Sequence, residues 1–136
     1  MKKVSVNWNI IIPIITMVCL TGGLILLSYL YDVNQYQTTV QSMTFGNVDI
    51  SQIPDGIYEG ECNVNYIVAK VQVSVEEGKL EKIILLDHKN ERGSSAEQII
   101  DDMVYEQKVN VDTISGATNS SKVIMKAVEN ALASAK

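Results

Sequence analysis

Residues 67–87 read IVAKVQVSVEEGKLEKIILLD, and this pattern predicts a β-hairpin. Every second residue over 67–75 is apolar, which is the period of a half-buried strand. Gly78 lies in a short loop where a positive φ is expected, and residues 80–87 return as the second strand. Because residues 83–86 are apolar on both faces, we expect this second strand to be central in the sheet or covered by a helix.

The segments on either side of the hairpin predict one more strand and two helices. An entry strand is predicted over residues 57–62, and apolar residues at helical spacing predict a helix over residues 96–107. A second helix is predicted near the end of the chain, with Asn119, Ser120 and Ser121 offering N-caps. Strands followed by helices imply a two-layer α+β domain, in which the two helices cover one face of a small antiparallel sheet.

The N-terminal segment predicts a membrane anchor. Between Lys3 and Asp32 the chain has no Asp, Glu, Lys, Arg or His. Residues 10–30 are mostly apolar, and a helix of this stretch reaches roughly 30 Å, the thickness of the hydrocarbon core of a bilayer. A transmembrane helix is therefore predicted over residues 10–31. The apolar run is longer than that of a typical signal peptide, which favours an uncleaved anchor over a cleaved leader.

Charge asymmetry predicts the orientation of this anchor. Lys2 and Lys3 precede the span, whereas all 16 acidic residues follow it. The positive-inside rule then places residues 1–9 in the cytoplasm and the C-terminal domain outside, in a single-pass protein of the cell membrane. Membrane lipid is therefore an expected partner.

The remainder divides into a connecting segment and a domain. Residues 32–54 are rich in Asn, Gln, Thr and Ser and predict a polar stalk, and residues 55–136 form the candidate extracytoplasmic domain. The formal net charge of the chain is −5. An acidic domain disfavours nucleic acid as a partner, because Lys and Arg contacts to phosphate supply most of that affinity.

The sequence shows no residue pattern that is typical of a catalytic site. His88 is the single histidine, and no Cys or carboxylate stands at metal-ligand spacing from it, so no metal site is predicted. Cys19 lies in the predicted span and Cys62 in the domain, so the two are not expected to pair. No carboxylate dyad or Ser/His/Asp order points to hydrolysis. Catalytic residues are therefore not predicted.

The segment Asp112–Asn119, which reads DTISGATN, places a hydroxyl residue in a glycine-containing turn before a helix. A helix N-terminus presents unpaired N–H groups and the positive end of the helix dipole, which favour a phosphate. Gly116 and Ala117 keep the approach open, so Thr118 could carry a phosphate-linked group. The alternative is that this segment only turns the chain and caps the helix.

Asp112, Ser115, Gly116, Ala117 and Thr118 match the pattern Asp, two variable residues, Ser or Thr, Gly, Ala, then Ser or Thr. This pattern resembles the flavinylation motif of the FMN-binding domain family. In that family the domain is shared with the covalently flavinylated subunits of the sodium-pumping NADH:quinone oxidoreductase and of Rnf complexes. The resemblance implies that Thr118 carries FMN through a phosphoester bond, installed from FAD by a magnesium-dependent flavin transferase. It implies that the other four residues serve recognition and the turn.

Two further segments carry the resemblance. Residues 55–60 look like the opening strand of the family, and residues 88–93 look like the loop after its hairpin. His88, the first residue of that loop, and Asn119, the last residue of the segment 112–119, are also candidate cofactor-binding residues. The chain lacks the long insertions of the large-complex subunits, which favours a stand-alone carrier.

Together these observations predict a membrane-anchored, extracytoplasmic FMN-binding electron carrier. Its expected partners are a flavin transferase for maturation and a membrane-bound electron donor, and no substrate-specific catalysis of its own is expected. Two alternatives stay open at this stage. One is a module that binds FMN or another ligand without a covalent bond, for example in sensing, and the other is an accessory subunit of a membrane redox complex.

Overall fold

The computed structural model describes residues 7–89 and 94–135. Contacts divide the chain into two compact units, the first ending at Gln35 and the second beginning at Tyr36. The helices and strands are α1 (Trp8–Gln41), β1 (Gly56–Asn63), β2 (Val68–Glu76), β3 (Lys79–Lys89), α2 (Ile99–Glu106) and α3 (Thr118–Ala133), with short 3-10 helices at Ile50–Gln52 and Ser94–Gln98. The predicted α+β class, with an apolar N-terminal helix, an antiparallel sheet and two further helices, is confirmed.

The first unit consists of the apolar part of α1. This helix is 34 residues long, and its length and composition suit a membrane span, although a signal sequence near an N-terminus meets the same test. The Thr16 hydroxyl donates to the Ile12 carbonyl at 2.6 Å, and the Thr21 hydroxyl donates to the Met17 carbonyl at 3.0 Å. Internal bonds of this kind satisfy polar groups that lipid would leave without partners.

The sheet has three antiparallel strands in the order β1-β2-β3. Between β2 and β3 the chain turns through Glu77 and Gly78, which have φ values of 50° and 70°. Two consecutive residues with positive φ are the mark of a two-residue type I′ turn, whose twist matches that of the flanking strands. The predicted hairpin, including a positive φ at Gly78, is confirmed.

The expectation that the second strand of this hairpin would be central is wrong, because β2 is central and β3 is an edge strand. Two irregularities in the β2–β3 register shift the alternation of side chains along β3. Ile83 is consequently buried opposite Val73, whereas Ile84 and Leu86 remain 38% and 45% exposed. Helix α2 does contact β3, but it does not cover these two side chains.

Helix α3 packs against one face of the sheet, on β1 and β2. The fully buried apolar core between them includes Val71, Val73, Leu80, Ile124, Val128 and Leu132. Gly60 permits the closest approach, since a Cβ placed there would lie 2.8 Å from the α-carbon of Ala131 and closer still to the Ala127 carbonyl oxygen. The Asn130 amide donates to the Glu61 carbonyl at 2.9 Å beside this contact. The middle of β1 is thereby fixed to the C-terminal half of α3.

The connecting segment differs from the continuous polar stalk expected over residues 32–54. Helix α1 extends to Gln41, and Val40, Ile50 and Ile53 are buried in the core of the second unit. The scattered apolar residues of this polar segment are therefore core positions, which a lack of periodicity concealed. The compact unit begins at Tyr36 rather than at residue 55.

The helix predicted over residues 96–107 begins differently from expectation. Residues Ser94–Gln98 form a 3-10 turn, and α-helical geometry starts at Ile99. Gln107 ends the helix with a left-handed φ of 54°, and its side-chain amide contacts both the backbone N–H of Leu80 (2.8 Å) and the Leu80 carbonyl (2.9 Å). The end of α2 is thus bonded to the start of β3.

Candidate functional site

The turn before α3 has a backbone that requires its glycine. The Ala117 N–H donates to the Ile114 carbonyl at 3.0 Å, and Gly116, the third residue of this four-residue turn, has a φ of 79°. A positive φ at that place is the mark of a type II turn. A Cβ added to Gly116 would meet nothing within 4 Å. The glycine is therefore needed for its conformation, and the space above the turn is open.

Helix α3 begins at Thr118, earlier than the sequence suggests. Ala117 occupies the N-cap position and supplies no side-chain hydrogen bond. The prediction that Asn119, Ser120 and Ser121 offer N-caps is wrong, because all three lie within the first turn of the helix. Since an alanine has no acceptor for the first-turn N–H groups, the positive end of the helix is left without a side-chain cap. This favours an anion at Thr118.

Ser121 has a positioning role that sequence reasoning missed. Its side chain is fully buried, and its Oγ accepts a hydrogen bond of 3.1 Å from the Ile114 N–H. The backbone N–H of Ser121 donates to the Ala117 carbonyl at 2.9 Å. One residue thus joins the turn and the helix. The only available signal was a hydroxyl one turn into an otherwise apolar helix face.

The motif residues lie in one contiguous segment and differ from one another in exposure. Thr118, Ser115 and Gly116 are exposed, Ala117 is buried, and Asn119 is half-buried beside them. Asp112 lies at the start of the segment and is also exposed. The result is an exposed threonine directly after a turn that is closed by hydrogen bonds.

Residues 67–133 match the family model of the FMN-binding domain. This part of the chain belongs to the FMN-binding domain family. The matched range runs from the residue before β2 to the last residue of α3 and includes the whole motif, so the predicted resemblance is confirmed. Comparison with curated proteins gives no match.

The FMN-binding domain offers a place that fits its cofactor. Thr118 is exposed, and among residues 7–89 and 94–135 no atom would lie within 4 Å of a Cβ added to Gly116. The start of α3 supplies N–H groups and a positive dipole for a phosphate. The residues present at the motif are therefore compatible with the phosphate end of FMN.

His88 lies on the core-facing side of β3, opposite Ala69. Its side chain is 2% exposed, and its Nδ1 is 3.0 Å from the Glu97 carboxylate. This contact joins β3 to the following 3-10 helix, and a flavin-adjacent role for His88 stays a prediction. Residues 90–93, which belong to the loop compared with the family, lie outside the described residues.

Metal ligation finds no support in the part of the chain that is described. Across residues 7–89 and 94–135, no group of three or more His, Cys, Asp and Glu side chains could hold a metal ion.

A segment that we call the strap, residues 40–46, contacts three side chains of α3. Lys122 Nζ lies 3.5 Å from the Val40 carbonyl oxygen, and Lys126 Nζ lies 3.3 Å from the Thr44 carbonyl oxygen. Glu129 accepts from the backbone N–H of the last strap residue at 2.7 Å. The strap is therefore fastened at three successive levels, beginning one turn after Thr118.

Proposed function

We propose that this protein is a membrane-anchored electron carrier on the extracytoplasmic side, with FMN joined to Thr118 through a phosphoester bond. The observation that carries the proposal is the exposed Thr118 hydroxyl, which opens α3 directly after a glycine turn and has no side-chain cap beside it. A hydroxyl that only capped the helix would occupy the N-cap position, and Ala117 holds that position instead.

FAD donates the FMN group in the attachment step, and AMP is the leaving group. The Thr118 oxygen attacks the phosphorus on the FMN side of FAD, and a bond forms between them. The bond from this phosphorus to the bridging oxygen breaks, AMP leaves with that oxygen, and the hydroxyl proton passes to solvent. A magnesium-dependent flavin transferase, implied by the family resemblance, catalyses the transfer. The domain contributes an accessible nucleophile and, at the start of α3, N–H groups that stabilise the phosphate charge.

The other motif residues have distinct tasks in this proposal. Gly116 gives the backbone conformation that exposes Thr118, and Ala117 leaves the first turn of α3 uncapped and accessible. Ser115 and Asp112, which are exposed, are available for recognition by the transferase. Once bound, FMN supplies one- or two-electron exchange, and the protein tethers and orients it.

The membrane part of the proposal is supported by α1 and by the charge asymmetry. Because the two lysines precede the uncharged residues 4–31 and all acidic residues follow them, the positive-inside rule favours a domain outside the cytoplasm. Covalent attachment suits that side, where a dissociable cofactor would be lost by dilution. Protease added to intact spheroplasts should digest the domain and spare a cytoplasmic marker, and survival of the domain would contradict this orientation.

The covalent bond is tested by intact mass and by flavin fluorescence in a denaturing gel. The full chain is made with and without a co-expressed flavin transferase, beside Thr118→Ala and the matched control Thr113→Ala. Wild type and Thr113→Ala should each gain the mass of one FMN less one water, and only with the transferase. Circular dichroism confirms that Thr118→Ala is folded. Covalent flavin on folded Thr118→Ala, or none on wild type, would overturn the proposal.

A further inference from the structure

Lys122 and Thr118 are neighbours on one face of α3. They are four residues apart, which places their side chains one above the other, with Cβ atoms about 5–6 Å apart. Helical side chains tilt toward the N-terminus, so the Lys122 side chain leads toward Thr118. Thr118 is exposed and Lys122 is half-buried, whereas Ser121 and Val123 on either side of Lys122 face the core. The nearest cation along this helix face therefore stands one turn from the attachment residue.

The present partner of Lys122 is weak. Its Nζ lies 3.5 Å from the Val40 carbonyl oxygen, beyond the usual range of about 2.7–3.2 Å for such bonds. None of the ion pairs among the described residues involves Lys122. Lys126, one turn further, is instead paired with Glu129. Lys122 is thus a cation that a new anion could recruit, and Lys126 is not.

We infer that Lys122 is a ligand of the phosphate that joins FMN to Thr118. This inference rests on the proposed function. The diester formed on Thr118 carries a negative charge, and a charge-assisted bond from an ammonium group to phosphate is roughly twice as strong as a bond between neutral groups. Lys122 Nζ therefore leaves the Val40 carbonyl and binds the phosphate. The first of the three ties of the strap is released, and those of Lys126 and Glu129 remain.

The phosphate contact is tested by phosphorus NMR of the flavinylated full chain in detergent micelles. Wild type is compared with Lys122→Met and with the matched control Lys126→Met, which removes a lysine from the same helix face one turn further away. The diester resonance of Lys122→Met should move away from its wild-type position, and that of Lys126→Met should not. Superimposed wild-type and Lys122→Met resonances would overturn the inference while leaving the proposed function intact.

The exchange of partners has its own readout in the strap. Amide hydrogen exchange at Met43, whose N–H donates to the Val40 carbonyl at 3.3 Å, is measured with and without FMN. Flavinylation of wild type should speed this exchange by about threefold, as expected for the loss of one weak bond. Lys122→Arg, which keeps the charge, should show the same response, and Lys122→Met should show none. An unchanged hydrogen-exchange rate in wild type would contradict the release of Val40 by Lys122. Wild type without covalent FMN would overturn both proposals.

Discussion

Each end of α3 has a glycine beside it, and the two glycines are needed for opposite reasons. In the C-terminal half, Gly60 of β1 packs so closely on Ala127 and Ala131 that no side chain would fit. At the N-terminal end, Gly116 stands in open space, and its positive φ is what the turn requires. One half of the helix is fixed by steric contact and determines the fold. The other is fixed by backbone conformation and presents Thr118 to solvent.

The largest expected loss of stability comes from adding a side chain at Gly60, where β1 packs against α3. Gly60→Ala places a methyl group against the Ala127 carbonyl, and neither backbone can move without separating α3 from β1. We expect the free energy of unfolding to fall by about 3 kcal/mol, at the upper end for overpacked cores. Urea unfolding of the full chain in detergent micelles measures this loss. A loss below about 1 kcal/mol would show that the helix is not held by this contact.

A smaller loss of stability is expected at Ser121, in the first turn of α3. Ser121→Ala removes the acceptor of the Ile114 N–H and should cost about 1–2 kcal/mol, because a donor next to the core loses its partner. It should also lower FMN loading, since the turn is no longer bonded to the helix. Ser120→Ala is the control, as it leaves that hydrogen bond in place. Equal loading in the two variants would contradict the positioning role of Ser121.

Substitution of Gly116, in the turn before α3, should affect FMN attachment more than it affects stability. Gly116→Ala meets no neighbour, so its cost is the left-handed backbone alone, about 1–2 kcal/mol. The rate of FMN transfer should drop as the turn relaxes to another conformation. Gly116→Asn should recover part of that rate, because asparagine tolerates this region better. If alanine and asparagine behave alike, backbone conformation does not explain this position.

The smallest expected effect is a pH dependence of stability that arises from Cys62 in β1. Burial raises the pKa of the Cys62 thiol, with Glu61 adding to the shift and Lys126 opposing it. The folded chain then holds the thiol proton more tightly than the unfolded chain does. Stability should therefore fall as the pH rises above the ordinary pKa of a thiol. Unfolding of wild type and Cys62→Ala between about pH 8 and 10 should show a steeper decline for wild type, and parallel curves would contradict this assignment.

The features that the sequence predicts well are local. The turn before β3 is marked by Gly78, which accepts a positive φ, and the motif around Thr118 is contiguous, so the amino-acid sequence alone is enough to recognise both. The positive φ of Glu77 was not predicted. The alternation of β2 works for the same reason, since residues on one face of a strand are only two positions apart.

The features that escaped prediction depend on distant contacts. The irregular register of β3, which exposes Ile84, arises from pairing with β2 and leaves no sign in an all-apolar run. The burial of Val40 and the strap contact of Lys122 join residues 82 positions apart. Ser121 resembles a cap in sequence, and only the folded turn shows that its hydroxyl reaches back to Ile114.

The central claim is that the solvent-facing end of α3 carries the flavin on one hydroxyl. Trypsin cleaves after Lys108 and Lys122, releasing a peptide of residues 109–122 that contains every hydroxyl side chain of the motif region. Tandem mass spectrometry of this peptide from the flavinylated full chain should place the FMN phosphate on Thr118. An FMN phosphate on Thr113, Ser115 or another hydroxyl of the peptide, or an unmodified peptide from a chain made with the transferase, would contradict the account.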